Sequence, residues 1–387
     1  MEEFVFVDGK KYRRGYTTGS CATSACKACM QMFLTKKIPQ HISIDTPKGI
    51  VLSIDIYDAE ITNDIITCRV VKDGGDDIDA THNMSIHAKL ELVDKTDELD
   101  YKCDIDIDGV EITAGIGIGR VTKKGLSVDI GRPAINPTPL SMIKKEIEEV
   151  IEEYSIDFED ILKNKKVRIT IFAPDGYEIA KNTFNSNLGI EGGISIIGTT
   201  GIVEPMSDEG WKKALSAELS IKKELGYKEI VLTPGNIGYE IMTTEYGVEG
   251  DRIVKMSNFI GYMLMECKRL GFEQITIAGH IGKLIKLAGG ITNTHSRISD
   301  ARREIMVANL ALMGVGLDVL KEINSCLTTD AMVDIIDDRG LDSVYEILSK
   351  KAAERAWKYL RDGKENISIK VMMFSMDKRL LGEGEFN

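Results

Sequence analysis

Ile275-Thr276-Ile277-Ala278-Gly279-His280-Ile281-Gly282-Lys283 is an apolar run that ends in a small, polar turn, and it sets the pattern for the second half of the chain. Ile194–Ile197 precedes Gly198-Thr199-Thr200-Gly201, Ile230–Leu232 precedes Thr233-Pro234-Gly235-Asn236, and Ile253–Met256 precedes Ser257-Asn258. With Val167–Phe172 ahead and Ile369–Phe374 behind, strands alternate with helices. Such alternation predicts a doubly wound, Rossmann-like α/β domain. The helix after Pro205 fits it: Ser207-Asp208-Glu209 lie at its positive end, Trp211, Leu215 and Leu219 recur every four residues, and Gly226 closes it.

The chain upstream reads as α+β. Thr17-Thr18-Gly19-Ser20 offers hydroxyl caps to an Ala- and Cys-rich helix that runs to about Phe33 and ends in Lys36-Lys37 before Pro39. The period then changes to that of strands in Ile42–Ile44, Val51–Ile56, Ile65–Val70 and Lys102–Ile107, which form a mixed or antiparallel sheet. Gly115-Ile116-Gly117-Ile118-Gly119 runs on to another alternating stretch, Leu126–Ile130, so it reads as a glycine-rich strand or bulge. An amphipathic helix, Ile143–Tyr154, and the polar stretch from Asp157 to Lys166 mark the expected boundary: an N-terminal α+β domain over 1–160 and a C-terminal α/β domain over 161–387.

At 387 residues, with a mean hydropathy of −0.10, the chain is long enough for two cores and globular in composition. An acidic start, Met1-Glu2-Glu3, and the lack of a long apolar run speak against a signal peptide and a membrane span. Seven scattered cysteines suit reduced thiols, and a cytoplasmic location is expected. A net charge of −12 opposes nucleic acid and anionic lipid as partners. It does not oppose a small anionic ligand held by a local basic cluster.

Cys21, Cys26 and Cys29 have a C-x4-C-x2-C spacing, but their Ala- and Ser-rich surroundings favour a helix on which cysteines pack as small apolar groups. The carboxylates of Lys72-Asp73-Gly74-Gly75-Asp76-Asp77-Ile78-Asp79 surround a flexible turn without the EF-hand pattern. The turn reads as a solvated acidic loop, or as one that orients substrate or moves a proton. No metal site is expected. His280 and His295, with Lys283 and Arg297, are either structural groups or a set that holds carboxylates and moves a proton. No dinucleotide fingerprint with its ribose acid is present, which disfavours a nicotinamide oxidoreductase.

Arg13-Arg14-Gly15-Tyr16-Thr17-Thr18-Gly19-Ser20-Cys21-Ala22, the Lys72–Asp77 turn, Gly131-Arg132-Pro133-Ala134-Ile135-Asn136-Pro137, the segment from Gly192 to Ser207, and Gly279–Lys283 all resemble the CbiD-like cobalt-precorrin-5B C-1-methyltransferase family of anaerobic cobalamin synthesis. The resemblance runs in order over almost the whole chain. It implies methyl transfer from S-adenosylmethionine to ring carbon 1 of a cobalt-containing contracted tetrapyrrole, with cobalt travelling inside the substrate. Other enzymes of the cobalamin pathway become candidate partners. Under this reading Gly198, Thr199, Thr200, Gly201, Glu204, Pro234, Gly235, Asn236 and Ser257 form the donor site. Arg13, Arg14, Thr17, Thr18, Lys283, His295 and Arg297 meet substrate carboxylates, and Asp73, Asp76 or His280 handles a proton. A corrinoid carrier or chaperone that binds without methylating is the alternative.

Overall fold

The computed structural model describes residues 4–7, 9–62, 65–154, 158–186, 188–361 and 366–387. Met1–Glu3, on which the reading of an acidic start rests, and Asp157 lie outside the described residues. The chain forms mixed α/β structure in two compact units, Met1–Asp208 and Glu209–Asn387.

The first unit is built on a five-stranded sheet in the order Tyr57–Thr62, Ile65–Val71, Ser85–Asp94, Lys165–Phe172, Val110–Ala114. Neighbours are antiparallel except the last pair, which is parallel. Alternation along Ile65–Val71 buries Ile66, Cys68 and Val70. The Thr18–Thr35 helix packs between this sheet and the Pro137–Tyr154 helix. Its small residues, buried around almost the whole circumference, suit that central place. The Thr17 hydroxyl caps it by accepting from the Ser20 N–H at 3.2 Å, and Lys36, at φ +57°, ends it. Glu146, buried on the neighbouring helix, has its charge met by Lys27 and by the Asp45 N–H at 2.6 Å.

Cys21, Cys26 and Cys29 project from this helix with no exposed surface. Burial pushes the Cys21 thiol up to about 12 and holds Cys26 well above its ordinary value. Cys29 is raised first by the hydrogen bond it shares with Cys68, Sγ to Sγ 3.5 Å, and then by burial. All three serve as small packing groups.

Several expected elements take different places. Lys165–Phe172, expected to open the α/β domain, pairs along its whole length with Asp94–His87 in the first unit's sheet. The expected boundary at 160/161 therefore falls inside the first unit, and the division comes between Asp208 and Glu209. Gly193–Ile194 likewise pairs in parallel with Gly117–Ile118 of the first unit. A strand period records which faces are buried, not which strand lies alongside. For the same reason Lys102–Ile107 buries Cys103 and Ile107 and exposes Asp104 and Asp106, yet it makes only single bridges, Lys102 to Thr113 and Ile107 to Val110. Leu126–Ile130 is a run of bends and turns.

The second unit holds a five-stranded sheet in the order Ile253–Lys255, Glu229–Thr233, Gln274–His280, Ser368–Phe374, Leu380–Phe386. The first four strands are mutually parallel and the last is antiparallel. Counted along the chain the order is 2-1-3-4-5. Successive residues enter two different apolar clusters: Ile230, Leu232, Ile277 and Val371 one, Val231, Ala278, Met372 and Phe374 the other. Both faces are thus covered, as a parallel sheet requires. Leu215 and Leu219 of the Asp208–Glu224 helix join the first cluster, whereas Trp211 remains 51% exposed, so the buried stripe begins one turn later than expected. Ile241 and Met242 of the Asn236–Thr244 helix join the second. Among the described residues no helix is long and apolar enough to cross a membrane.

Gly238 lets the Asn236–Thr244 helix approach the central strand, since a Cβ there would lie 2.1 Å from the Ala278 carbonyl oxygen. Alanine is the better helix former by about 1 kcal/mol, but the clash is with backbone. Gly238→Ala is expected to lower stability by ~1–2 kcal/mol in denaturant unfolding. An unchanged midpoint would show that the helix does not sit this close.

Candidate functional site

In the first unit, Arg13–Tyr16 and Asp73–Asp76 are laced together through backbone and side chain. The Arg13 guanidinium grips both oxygens of Asp73, with Nη2 to Oδ1 at 2.8 Å. The Arg13 N–H donates to Asp76 Oδ2 at 2.6 Å, and the Tyr16 N–H donates to the Asp73 carbonyl at 2.8 Å. Gly75, at φ +66°, leaves no room for a side chain: its Cβ would fall 2.3 Å from the Arg13 carbonyl oxygen. The fork from Arg13, outweighing the cost of burial, holds the Asp73 carboxyl below its ordinary range. Asp76 is exposed, and its other oxygen has no partner among the described residues.

Gly198–Gly201 lies against the start of the Thr18–Thr35 helix rather than at the end of a strand in the second unit's sheet. The Gly19 N–H donates to the Ile197 carbonyl at 2.9 Å, Ser20 Oγ donates to the Gly201 carbonyl at 2.6 Å, and the Thr17 N–H donates to that same carbonyl at 3.2 Å. Thr17 and Thr18 are buried, and Thr18 Oγ1 is bonded to the backbone of Ile197. Both hydroxyls thus hold the chain to itself. Glu204, expected near a sulfonium, is paired with Arg14 at 3.1 Å and with Lys48, so its charge is already met. That pairing keeps its carboxyl below the ordinary range, the Lys48 bond contributing most.

The second unit brings together Pro234, Gly235, Asn236, Ser257 and Lys283 at the carboxyl ends of parallel strands. The Met256 N–H donates to the Thr233 carbonyl at 2.8 Å, and Lys283 Nζ donates to the Pro234 carbonyl at 2.7 Å. The 2-1-3-4-5 order reverses direction between the Glu229–Thr233 and Gln274–His280 strands, and crevices form at such switch points. Lys283 is half-buried and faces no carboxylate among the described residues, which leaves two of its three N–H donors unused. Burial, and secondarily the charge of Lys286, lowers its pKa. Thr233 is fully buried with an unpartnered hydroxyl, Ser257 sits at φ +54°, and the space beside Gly235 is open.

His280 is not a free base. Its Nδ1 accepts the Gly282 N–H at 3.1 Å, and its Nε2 lies 3.0 Å from Asp330 Oδ1. Both ring nitrogens are therefore engaged. His295 and Arg297 lie exposed on a loop that the buried Lys286 ammonium anchors through the Thr294 and Ser299 carbonyls, at 3.0 and 2.8 Å. Asp330 and Lys286 escaped the sequence reading: Asp330 stands in an ordinary acidic helix start, and nothing in a lysine's neighbours along the chain announces its burial. Among the described residues, no group of three or more His, Cys, Asp or Glu side chains is placed to hold a metal ion.

Residues 5–205 match the CbiD family model and residues 293–385 match the CbiD C-terminal domain model. The chain is 52% identical to the cobalt-precorrin-5B C(1)-methyltransferase of Clostridioides difficile, over 100% of this chain and 98% of that protein. The chain belongs to the CbiD family. Similar relatives bear the same name in Listeria monocytogenes, at 45% identity over 98% of this chain and 96% of the relative, and in Photorhabdus laumondii, at 42% over 98% and 94%. A crystal structure of the cobalamin biosynthesis protein CbiD from Archaeoglobus fulgidus is 24% identical, covers 78% of this chain and 88% of that one, and superposes with a TM-score of 0.39.

In this CbiD chain, concavity and strand topology point to different places. The first unit carries clefts of 380 and 860 Å³, neither lined by a candidate residue. The larger is walled by six carboxylates against three lysines, including Glu111, Glu148, Lys102 and Lys166. Such a wall repels a ligand rich in carboxylates. The strand ends beside Lys283, whose ammonium meets no carboxylate among the described residues, suit one better.

The Arg13–Asp73 fork makes a pH prediction. A carboxyl whose folded pKa is depressed contributes stability above the unfolded value, about 3.9, and loses it as pH falls through the lower folded value. Asp73→Asn should therefore destabilise the protein at neutral pH, with the difference from wild type shrinking as pH falls below about 3.9 and vanishing only below the lower folded value. Unfolding midpoints that differ equally at every pH would refute the ion pair's part.

Proposed function

We propose that this chain transfers a methyl group from S-adenosylmethionine to ring carbon 1 of cobalt-precorrin-5B, giving cobalt-precorrin-6A. The relatives' shared name, at 42–52% identity over 98–100% of this chain, carries the reaction. The observation that carries the site is the unneutralised Lys283 ammonium at the switch point of the parallel sheet. We read the second unit as a doubly wound, Rossmann-like domain, because both faces of its sheet are covered and its strand order reverses beside the candidate turns. Cysteines that stand as free thiols, Cys21, Cys26 and Cys29 among them, suit a cytoplasmic enzyme.

The strand ends around Pro234 are our candidate donor site. Gly235 leaves room for close approach, the exposed Asn236 side chain and Ser257 supply polar groups, and Thr233 holds an orphaned hydroxyl beside them in sequence. S-adenosylmethionine supplies an activated methyl on a sulfonium centre. The chain's part is to orient its ligands and exclude water, and no covalent nucleophile is needed. The donor set is accordingly drawn from Pro234, Gly235, Asn236 and Ser257, while Gly198–Gly201 and Glu204 hold the first unit's own loops. Lys283 meets a peripheral carboxylate of the macrocycle, with His295 and Arg297 exposed on the nearby loop of the same unit. Of the three proton-handling candidates, Asp76 keeps a spare carboxylate oxygen.

Anaerobic incubation with cobalt-precorrin-5B and methyl-labelled donor is expected to place one label on ring carbon 1, read by mass spectrometry. Pigment that binds and stays unlabelled would make the chain a carrier instead.

Lys283 gives a second, independent check. A lysine whose pKa is lowered stays charged below that value, so macrocycle binding should be full at neutral pH and weaken as pH rises toward it, short of the ordinary 10.4 or so. Lys283→Ala should raise the macrocycle KM by ~10-fold or more, the worth of a charge-assisted bond. Lys283→Arg, always protonated, should remove the alkaline limb. An alkaline limb that persists in Lys283→Arg would assign it to another group.

A further inference from the structure

His280 and Asp330 stand 50 positions apart and meet at the end of the central strand of the second unit. An imidazole whose Nδ1 accepts from the Gly282 N–H must, when neutral, carry its proton on Nε2. That Nε2–H then donates to Asp330 Oδ1 at 3.0 Å. Asp330 lies in the first turn of the Thr329–Asp338 helix, which Thr328 caps by accepting the Ala331 N–H at 3.2 Å. His280 is itself the cap of the Ile281–Ala288 helix. The starts of two helices are therefore tied through one imidazole. The join is tight: a Cβ on Gly282 would lie 2.9 Å from both Thr329 Oγ1 and His280 Nδ1. The next residue along is Lys283, whose ammonium reaches across to Pro234.

We infer that Asp330 is a positioning residue for the substrate site. By accepting from Nε2–H it fixes the tautomer of His280, which keeps Nδ1 an acceptor, which holds the turn from Gly279 to Lys283 and so aims the Lys283 ammonium at a carboxylate-bearing ligand. This inference rests on the reading that the Lys283 crevice receives the macrocycle. It gives His280 the work of a cap and a linker, with no proton transferred to or from substrate, and it makes Asp330 an acceptor whose shape matters more than its charge.

The test uses full-length protein labelled with ¹⁵N-histidine, as wild type, Asp330→Ala and Asp330→Asn, with the His280 signals assigned by their loss in His280→Gln. Wild type should show the Nε2–H tautomer. Asp330→Ala should show a mixture of tautomers and a macrocycle KM raised ~10-fold, with kcat moved much less, as expected for lost ground-state positioning. Asp330→Asn, whose amide oxygen still accepts, should restore both the tautomer and KM to within about threefold. Three results would overturn the inference: an unchanged tautomer in Asp330→Ala, an unchanged KM despite a scrambled tautomer, or an Asn variant as damaged as the Ala variant. Lys283→Ala separates the two layers. If its KM is raised while that of Asp330→Ala is not, Asp330's part fails alone; if neither is raised, the reading of the crevice fails as well.

Discussion

Parallel pairing of Glu229–Leu232 with Gln274–Ile277 is the constraint from which the candidate site follows. Parallel neighbours end on the same side of a sheet, so two turns that lie forty-odd residues apart emerge together, and helices must start where both strands stop. The Lys283–Pro234 bond closes that junction at 2.7 Å. The polar groups at these strand ends, from Asn236 to Ser257 and the His280 cap, are placed by strands whose central residues, Ile230–Leu232, Ile253–Val254 and Ile275–Ala278, are largely apolar and buried.

The first unit uses its distinctive segments differently. Arg13–Ala22, Lys72–Asp77, Gly131–Pro137 and Gly192–Ser207 are the first unit's stretches that carry the family resemblance, and in the structure they bind one another. The Asn136 N–H donates to the Ile196 carbonyl at 3.0 Å, the Ile196 N–H donates to the Ala134 carbonyl at 2.8 Å, and the Arg13 N–H donates to Asp76. Glycines there permit backbone to touch backbone, as at Gly75, and hydroxyls close helix starts. Irregular loops that pack this closely must satisfy their own polar groups, which demands particular residues at particular places. A motif can therefore be specific because a set of loops is knotted into one shape, and its residues need not be the ones that face a ligand.

Charge follows the same division between total and place. A chain with a net charge of −12 repels polyanions at a distance, and the first unit's larger cleft repeats that bias with six carboxylates. What counts for a carboxylate-bearing ligand is an ammonium that no carboxylate among the described residues neutralises. Lys283 is in that state, whereas Arg13 and Arg14 are each engaged with a carboxylate of their own unit.

Much of the architecture was legible from one dimension. Buried strands of Ile230–Leu232, Ile253–Met256, Ile275–Ala278 and Ile369–Phe374, the polar turns that follow three of them, the capped cysteine helix and the segments shared with the CbiD family all follow from local composition and period, because burial on both faces and helix capping are decided by neighbouring residues. Pairing is not decided that way. Lys165–Phe172 reads as a strand in any context, and only the three-dimensional ladder with Ser85–Asp94 assigns it to the first unit, along with the Gly198–Gly201 turn that follows later. The partners of His280, Lys283 and Glu204 were hidden for the same reason. The sequence by itself determined which segments are buried, capped and distinctive; the tertiary structure alone decided which charges are already satisfied, since a charge is neutralised by what lies within a few ångströms and not by what lies next along the chain.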